Sequence, residues 1–207
     1  MSLLASGALV SLPVSPFPPL ALGFFGLGTG YLIYGIEDLL GYPKRDASVD
    51  LATGIWGIWM PGFLQFIAGT YLFLGLTLFG TFKSPPLYMA ALAFTAYGVH
   101  WFGLGWIRIR RTDVRANLGM TIAFLMISVL GIIVFFSSGD HPVGGVFIGL
   151  TGVYASEFFQ TLGSDAPRLS KLGQRATGFF RLGTGLWLMY LVFAVALNFI
   201  LGYGLPL

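Results

Sequence analysis

The sequence predicts an all-α membrane protein, a bundle of six transmembrane helices forming a single domain over residues 1–207. Three observations carry this. Hydrophobic residues make up 56% of the chain and charged residues only 9%, whereas a soluble domain is about 25% charged. The mean hydropathy is +0.83. The apolar runs are continuous and close to the ~20 residues that carry a helix across ~30 Å of hydrocarbon. Barrel strands would instead show short alternating segments of about 10 residues. Only helices and closed barrels satisfy every backbone amide inside a bilayer, so the runs are helices.

In order along the chain, the first 16 residues form an N-terminal arm. Met1–Val14 is apolar and short but lacks the basic start of a signal peptide. The six spans are expected over Pro19–Ile36, Gly54–Phe79, Leu87–Ile107, Leu118–Phe136, Val143–Leu162 and Thr177–Leu201. Pro16, Pro18 and Pro19 suit an extended lead-in and a first helical turn. Pro61 predicts a kink in the second span, because proline removes a helix hydrogen bond and crowds the preceding turn. The first loop, around Glu37–Ala52, has mixed charge and is expected to be a solvated linker.

The charges divide by side. Lys44, Arg45, Arg108, Arg110, Arg111, Arg115, Arg168, Lys171 and Arg175 fall in the odd loops, and only Lys83 lies on the opposite side. The positive-inside rule places the odd loops in the cytoplasm and both termini outside it. The net charge of +3 is therefore a matter of topology, not of nucleic-acid binding. The expected setting is the lipid bilayer of the cell membrane.

Glycine is abundant, and small residues let helices approach closely in a bilayer. Gly26-x-x-x-Gly30 and Gly145-x-x-x-Gly149 fit such contacts, within the chain or between subunits. An internal echo joins the first and last spans. Gly23-Phe24-Phe25-Gly26-Leu27-Gly28-Thr29-Gly30 returns as Gly178-Phe179-Phe180-Arg181-Leu182-Gly183-Thr184-Gly185, with seven of eight positions identical.

No catalytic or nucleotide-binding motif is present, so the chain is expected not to be an enzyme, to need no cofactor or metal and to use a gradient for any uphill transport. Zero cysteines remove thiolate chemistry. His141 is expected at the surface. His100 lies inside the third span, where an ionisable side chain is a functional hypothesis by default, beside the plainer role of an interhelical hydrogen bond. Glu157 and Arg181, in the fifth and sixth spans, are the other ionisable candidates for function, beside the plainer readings of snorkelling to headgroups or forming a structural pair. Gln65, Thr95, Tyr97, Ser128, Thr151, Tyr154, Ser156 and Tyr190 add neutral polar groups, which suit a small polar solute or weak acid or simply hold helices together.

Ala93-Phe94-Thr95-Ala96-Tyr97-Gly98 followed by Trp101 resembles the A-F-T-S-Y-G-x-x-W signature of the acetate uptake transporter family, which includes the succinate–acetate permeases. Gly62-Phe63-Leu64-Gln65-Phe66-Ile67-Ala68-Gly69 resembles that family's G-G-x-x-Q-x-x-A-G segment. Ser15-Pro16-Phe17-Pro18 before Gly23-Phe24 resembles its N-P-A-P lead, and Gly185, Tyr190, Leu191 and Asn198 match its last helix in spacing. The resemblance implies a six-helix protomer in a hexameric ring, each protomer passing acetate or a related short monocarboxylate, with proton coupling as an option. It implies a constriction at Phe24, Tyr97 and Leu150. Gln65, Thr95 and His100 are the expected solute-binding residues beside it. The chain departs from the family at Ser15, at Lys83–Met89 and at Leu72, and its charge map opposes the family's cytoplasmic termini. These departures support the alternative, a non-catalytic helical subunit of a larger membrane complex.

Overall fold

A computed structural model describes residues 15, 17–163 and 166–206. Six of its helices are long and apolar enough to cross a membrane. They are α1 (Phe17–Leu40), α2 (Ala47–Leu78), α3 (Pro86–Arg110), α4 (Leu118–Ser137), α5 (His141–Leu162) and α6 (Pro167–Leu201). The N-terminal arm lies outside the described residues except for Ser15.

Local chemistry sets the helix ends. Gly41, at φ +69°, closes α1 and donates its N–H to the Glu37 carbonyl at 2.8 Å. The Asp46 carboxylate caps α2 by accepting from the Ser48 and Val49 amides, each at 2.8 Å. Pro86 and Pro167 stand in the first turns of α3 and α6. Asp140 caps α5 by accepting from the Val143 amide at 3.0 Å. α2 is not a uniform α-helix. It winds as π-helix over Ile58–Phe63, around Pro61, and again over Leu74–Leu78, so the expected proline disturbance takes the form of an inserted π-turn.

Two expectations are corrected here. The first loop is only residues 41–46, because Glu37 and Asp38 still belong to α1 and Ala47–Ala52 already belong to α2. Glu37, Asp38 and Asp50 are buried, not solvated. The last span begins ten residues earlier than expected, which puts Arg168, Lys171 and Arg175 on the first turns of α6 instead of in a loop.

The helices form a closed ring. Each packs on the next in sequence, and α6 closes the ring with an extensive contact against α1, whereas α3 and α4 touch least of the neighbouring pairs. Both small-residue motifs pack within the chain: Gly26 and Gly30 against Met60, Leu64 and Pro61 of α2, and Gly145 and Gly149 against Trp187 and Thr184 of α6. The echo segments meet at the α1–α6 contact where Gly28 lies against Gly185, and Gly178 lies against Gly35, just past the first segment. The core is the interior of the ring, and the wide apolar surface outside it suits lipid.

Candidate functional site

Three helices carry a stripe of side chains at three- and four-residue spacing toward the ring axis, the spacing of one helical face. On α1 the stripe is Phe24, Leu27, Tyr31, Tyr34 and Asp38. On α3 it is Ala90, Phe94, Tyr97, His100 and Leu104. On α5 it is Phe147, Leu150, Tyr154 and Glu157. Two cavities lie along these stripes and share no lining residue.

The first, of about 350 Å³, reaches the end of the bundle that holds the second and fourth loops, where Ser84, Pro86, Ser138 and Asp140 line it. Its wall is apolar apart from these and Gln65. Leu27, Tyr97 and Leu150 are the lining residues furthest along α1, α3 and α5 from that end, with Phe24 one turn nearer to it. Gln65 is 0% exposed, and neither atom of its amide has a protein hydrogen-bond partner. A buried amide without a partner costs roughly 1–3 kcal/mol, and this one sits where a small polar solute would meet it.

The second cavity, of about 570 Å³, lies at the basic end. Its wall includes Tyr34, Asp38, His100, Arg108, Glu157 and Arg181. Tyr31 and Tyr154 line neither cavity and are 1% and 2% exposed. Each stands between a residue of the first cavity and one of the second on its own helix, so the two rings fill the partition. Tyr154 stacks on Tyr97 with centroids 5.7 Å apart and on Phe124 at 5.5 Å. The Ser128 hydroxyl donates to the Phe124 carbonyl at 2.7 Å. Its proton is thereby committed, so the Tyr97 hydroxyl is the donor in the 2.9 Å bond to Ser128 Oγ. That bond fixes Tyr97 across the sparse α3–α4 seam.

Below the partition the ring is held by buried charge. Arg108 donates to both carboxylate oxygens of Glu37 at 2.7 and 2.9 Å and to Thr53 Oγ1 at 3.0 Å. Arg181 donates through Nη1 to Asp38 at 2.6 Å and through Nη2 to Glu157. The Tyr34 ring lies 4.0 Å from the Arg108 guanidinium and 5.7 Å from that of Arg181. Asp50, also buried, takes the more exposed Arg45 at 2.9 Å and Arg111 at 3.2 Å. Arginine suits such sites because its fork matches a carboxylate and is weakly hydrated.

The structure thus brings Phe24, Gln65, Tyr97 and Leu150 to one cavity wall. His100 is one turn from Tyr97 but faces the other cavity, where its Nδ1 lies 3.1 Å from Met120 Sδ and its ring packs on Phe124 and Tyr154. Thr95 lines neither cavity. Its hydroxyl donates to the Ala91 carbonyl at 2.9 Å, and its side chain lies against Gly69 of α2. Glu157 and Arg181 pair with each other instead of snorkelling. His141 is exposed. Sequence reasoning passed over Tyr31, Tyr34 and the carboxylates of α1. The signal was the spacing of Tyr31, Tyr34 and Asp38, which continues the face begun by Phe24 and Leu27.

Fold and site together define a polytopic membrane bundle with two cavities in series along its axis, divided by aromatic rings. The chain shares its fold with the bacterial acetate channel SatP, at a TM-score of 0.65 and 22% sequence identity, over 90% of this chain and 96% of that one. No protein-family model matches the chain, and no curated protein matches it in sequence.

Proposed function

We propose that this protein is a channel or transporter for acetate or a related short monocarboxylate, and a divergent member of the acetate uptake transporter family. The observation that carries the reading is Gln65, an amide without a protein partner on the wall of an otherwise apolar cavity, just above a ring-filled partition. Aromatic and aliphatic side chains close such a path by excluding water, and the amide offers a hydrogen bond that does not trap an ion. The fold shared with an acetate channel supports the solute class, as do the third-helix signature and the Gln65 segment. In this reading Phe24, Tyr97 and Leu150 form the approach to the constriction, and Tyr31 and Tyr154 complete it. His100, on the far side, is the group placed to take part in proton coupling. A homo-oligomer in the cell membrane, hexameric as the resemblance implies, completes the assignment.

Uptake of labelled acetate into proteoliposomes tests the reading. Uptake above that of protein-free vesicles is expected, as is a several-fold loss in Gln65→Leu. The same substitution removes a buried unsatisfied amide, so the thermal midpoint of that variant is expected to hold or rise. Parent protein that moves acetate no faster than bare vesicles defeats the proposal. Uptake by His100→Gln over a range of pH, at constant acetate anion concentration, tests the coupling role. A pH dependence identical to the parent's removes it.

A further inference from the structure

Arg181 is placed in the second cavity in a way that a purely structural brace does not require. Its guanidinium is buried and lines the cavity. Nη1 is committed to Asp38, a carboxylate 7% exposed that Gln174 also contacts at 3.4 Å. The opposite edge of the guanidinium, formed by Nε and Nη2, is only half used. Nη2 donates to Glu157, and the Nε–H has no partner. A carboxylate takes such an edge with two parallel hydrogen bonds, so one donor of a two-donor carboxylate receptor stands vacant.

Glu157 differs from Asp38 in two respects. It is the more exposed of the two, at 13%, and among the described residues it accepts a hydrogen bond from Arg181 alone. It lines the cavity together with Gln160 and Thr161, neutral polar side chains that can receive a displaced carboxylate. The guanidinium also faces two carboxylates at once, so it carries one more acid than it can neutralise. Exchange of one carboxylate for another at the Nε–Nη2 edge leaves the charge paired with Arg181 unchanged.

We propose that the Nε–Nη2 edge of Arg181 is a binding site for the carboxylate of a short monocarboxylic acid, and that Glu157 is the internal carboxylate competing for it. The solute anion and Glu157 alternate on one edge, while Asp38 holds the guanidinium in place. This rests on the monocarboxylate reading above and adds a charged subsite on the basic side of the partition to the neutral Gln65 on the other side.

The test is acetate binding to purified protein in detergent, followed by ¹³C-acetate NMR titration, with the concentration dependence of vesicle uptake measured in parallel. Glu157→Gln keeps the shape and removes the competing charge, so half-saturation is expected at about tenfold lower acetate, the scale of one charge-assisted hydrogen bond. The double variant Arg181→Gln/Glu157→Gln is expected to lose that gain. Asp38→Asn changes the closed edge and is expected to leave affinity nearer the parent's. Acetamide, neutral and similar in shape, is expected to respond to none of these. Unchanged or weaker acetate binding in folded Glu157→Gln overturns the inference, and so does equal tightening by Asp38→Asn, which keeps the test decisive where the Arg181 variant fails to fold. If parent vesicles transport acetate but Glu157→Gln has an unchanged half-saturation, only this inference falls. If acetate binds with the expected order of affinities but is not transported, only the transport reading falls.

Discussion

At the scale of single residues, the protein hides charges where hydrocarbon would punish them and satisfies them in pairs. Removing one partner of a buried ion pair typically costs 3–5 kcal/mol, because the other charge is left uncompensated. Asp140 is a milder case outside the spans. Burial at the mouth of the first cavity pushes its carboxyl above the usual aspartate range, and the hydrogen bond from the Val143 amide and the charge of His141 only partly oppose this. A carboxyl whose folded value is raised binds its proton more tightly in the folded state, so stability from this group is greatest at low pH. That stability declines as pH rises from the ordinary range, near ~3.9, to the raised value. The thermal midpoint of Asp140→Asn, which keeps a capping oxygen, is expected to vary less than the parent's across that window and to equal or exceed it at neutral pH. Asp140→Ala is expected to lose about 1 kcal/mol through the missing cap. A midpoint for Asp140→Asn that falls below that of Asp140→Ala at neutral pH contradicts this account. The charged site itself was hard to read from sequence. Glu37 and Asp38 sit in a run of mixed charge, and their partners Arg108 and Arg181 lie 71 and 143 residues further along the chain. Local pattern says that such residues are polar; only the closing of the ring says that they are buried.

At the scale of helices, more was legible. Six spans follow from hydropathy alone, and Pro61 marked the disturbance in α2. The third-helix signature divides between two roles. Tyr97 faces the cavity, whereas Gly98 lies against the Gly62 carbonyl and the Phe66 amide of α2, and Trp101 packs edge-on to Tyr34 with centroids 4.9 Å apart. A short motif does not reveal that division. The echo between α1 and α6 was visible, but not its use as a close helix crossing. That crossing makes a paired prediction. A methyl at Gly178 would stand 2.5 Å from the Leu39 amide nitrogen and 2.9 Å from Asp38 Cβ, whereas one at Gly183 would meet nothing within 4 Å. Gly178→Ala must push α6 from α1 beside the Asp38–Arg181 pair and is expected to cost about 1–3 kcal/mol, the range for overpacking. Gly183→Ala adds helix propensity and is expected to be neutral or to gain up to about 1 kcal/mol. Thermal or denaturant unfolding in detergent decides the matter, and equal stability of the two variants would deny the close crossing.

At the scale of the whole molecule, the two ends differ in charge, and this difference makes the last prediction. The basic end holds nine lysines and arginines and the other end only Lys83. Several of these arginines are paired: Arg45 and Arg111 with Asp50, and Arg108 with Glu37. Pairing lowers the net charge at that end but does not weaken the expectation, because orientation follows the Lys and Arg count and Asp and Glu contribute little. The basic end with its charged cavity is therefore expected in the cytoplasm, and both termini outside it, opposite to the orientation that the family resemblance implies. A solute arriving from outside then meets the apolar cavity and Gln65 first, and Arg181 only after the partition. The chain contains no cysteine, so single cysteines report position without background. Lys83 and Lys171 are exposed at opposite ends of the bundle. In intact cells, a membrane-impermeant maleimide is expected to label Lys83→Cys and to reach Lys171→Cys only after lysis. Labelling of Lys171→Cys in intact cells, with Lys83→Cys protected, would reverse the molecule in the membrane and set Arg181 before Gln65 on the way in.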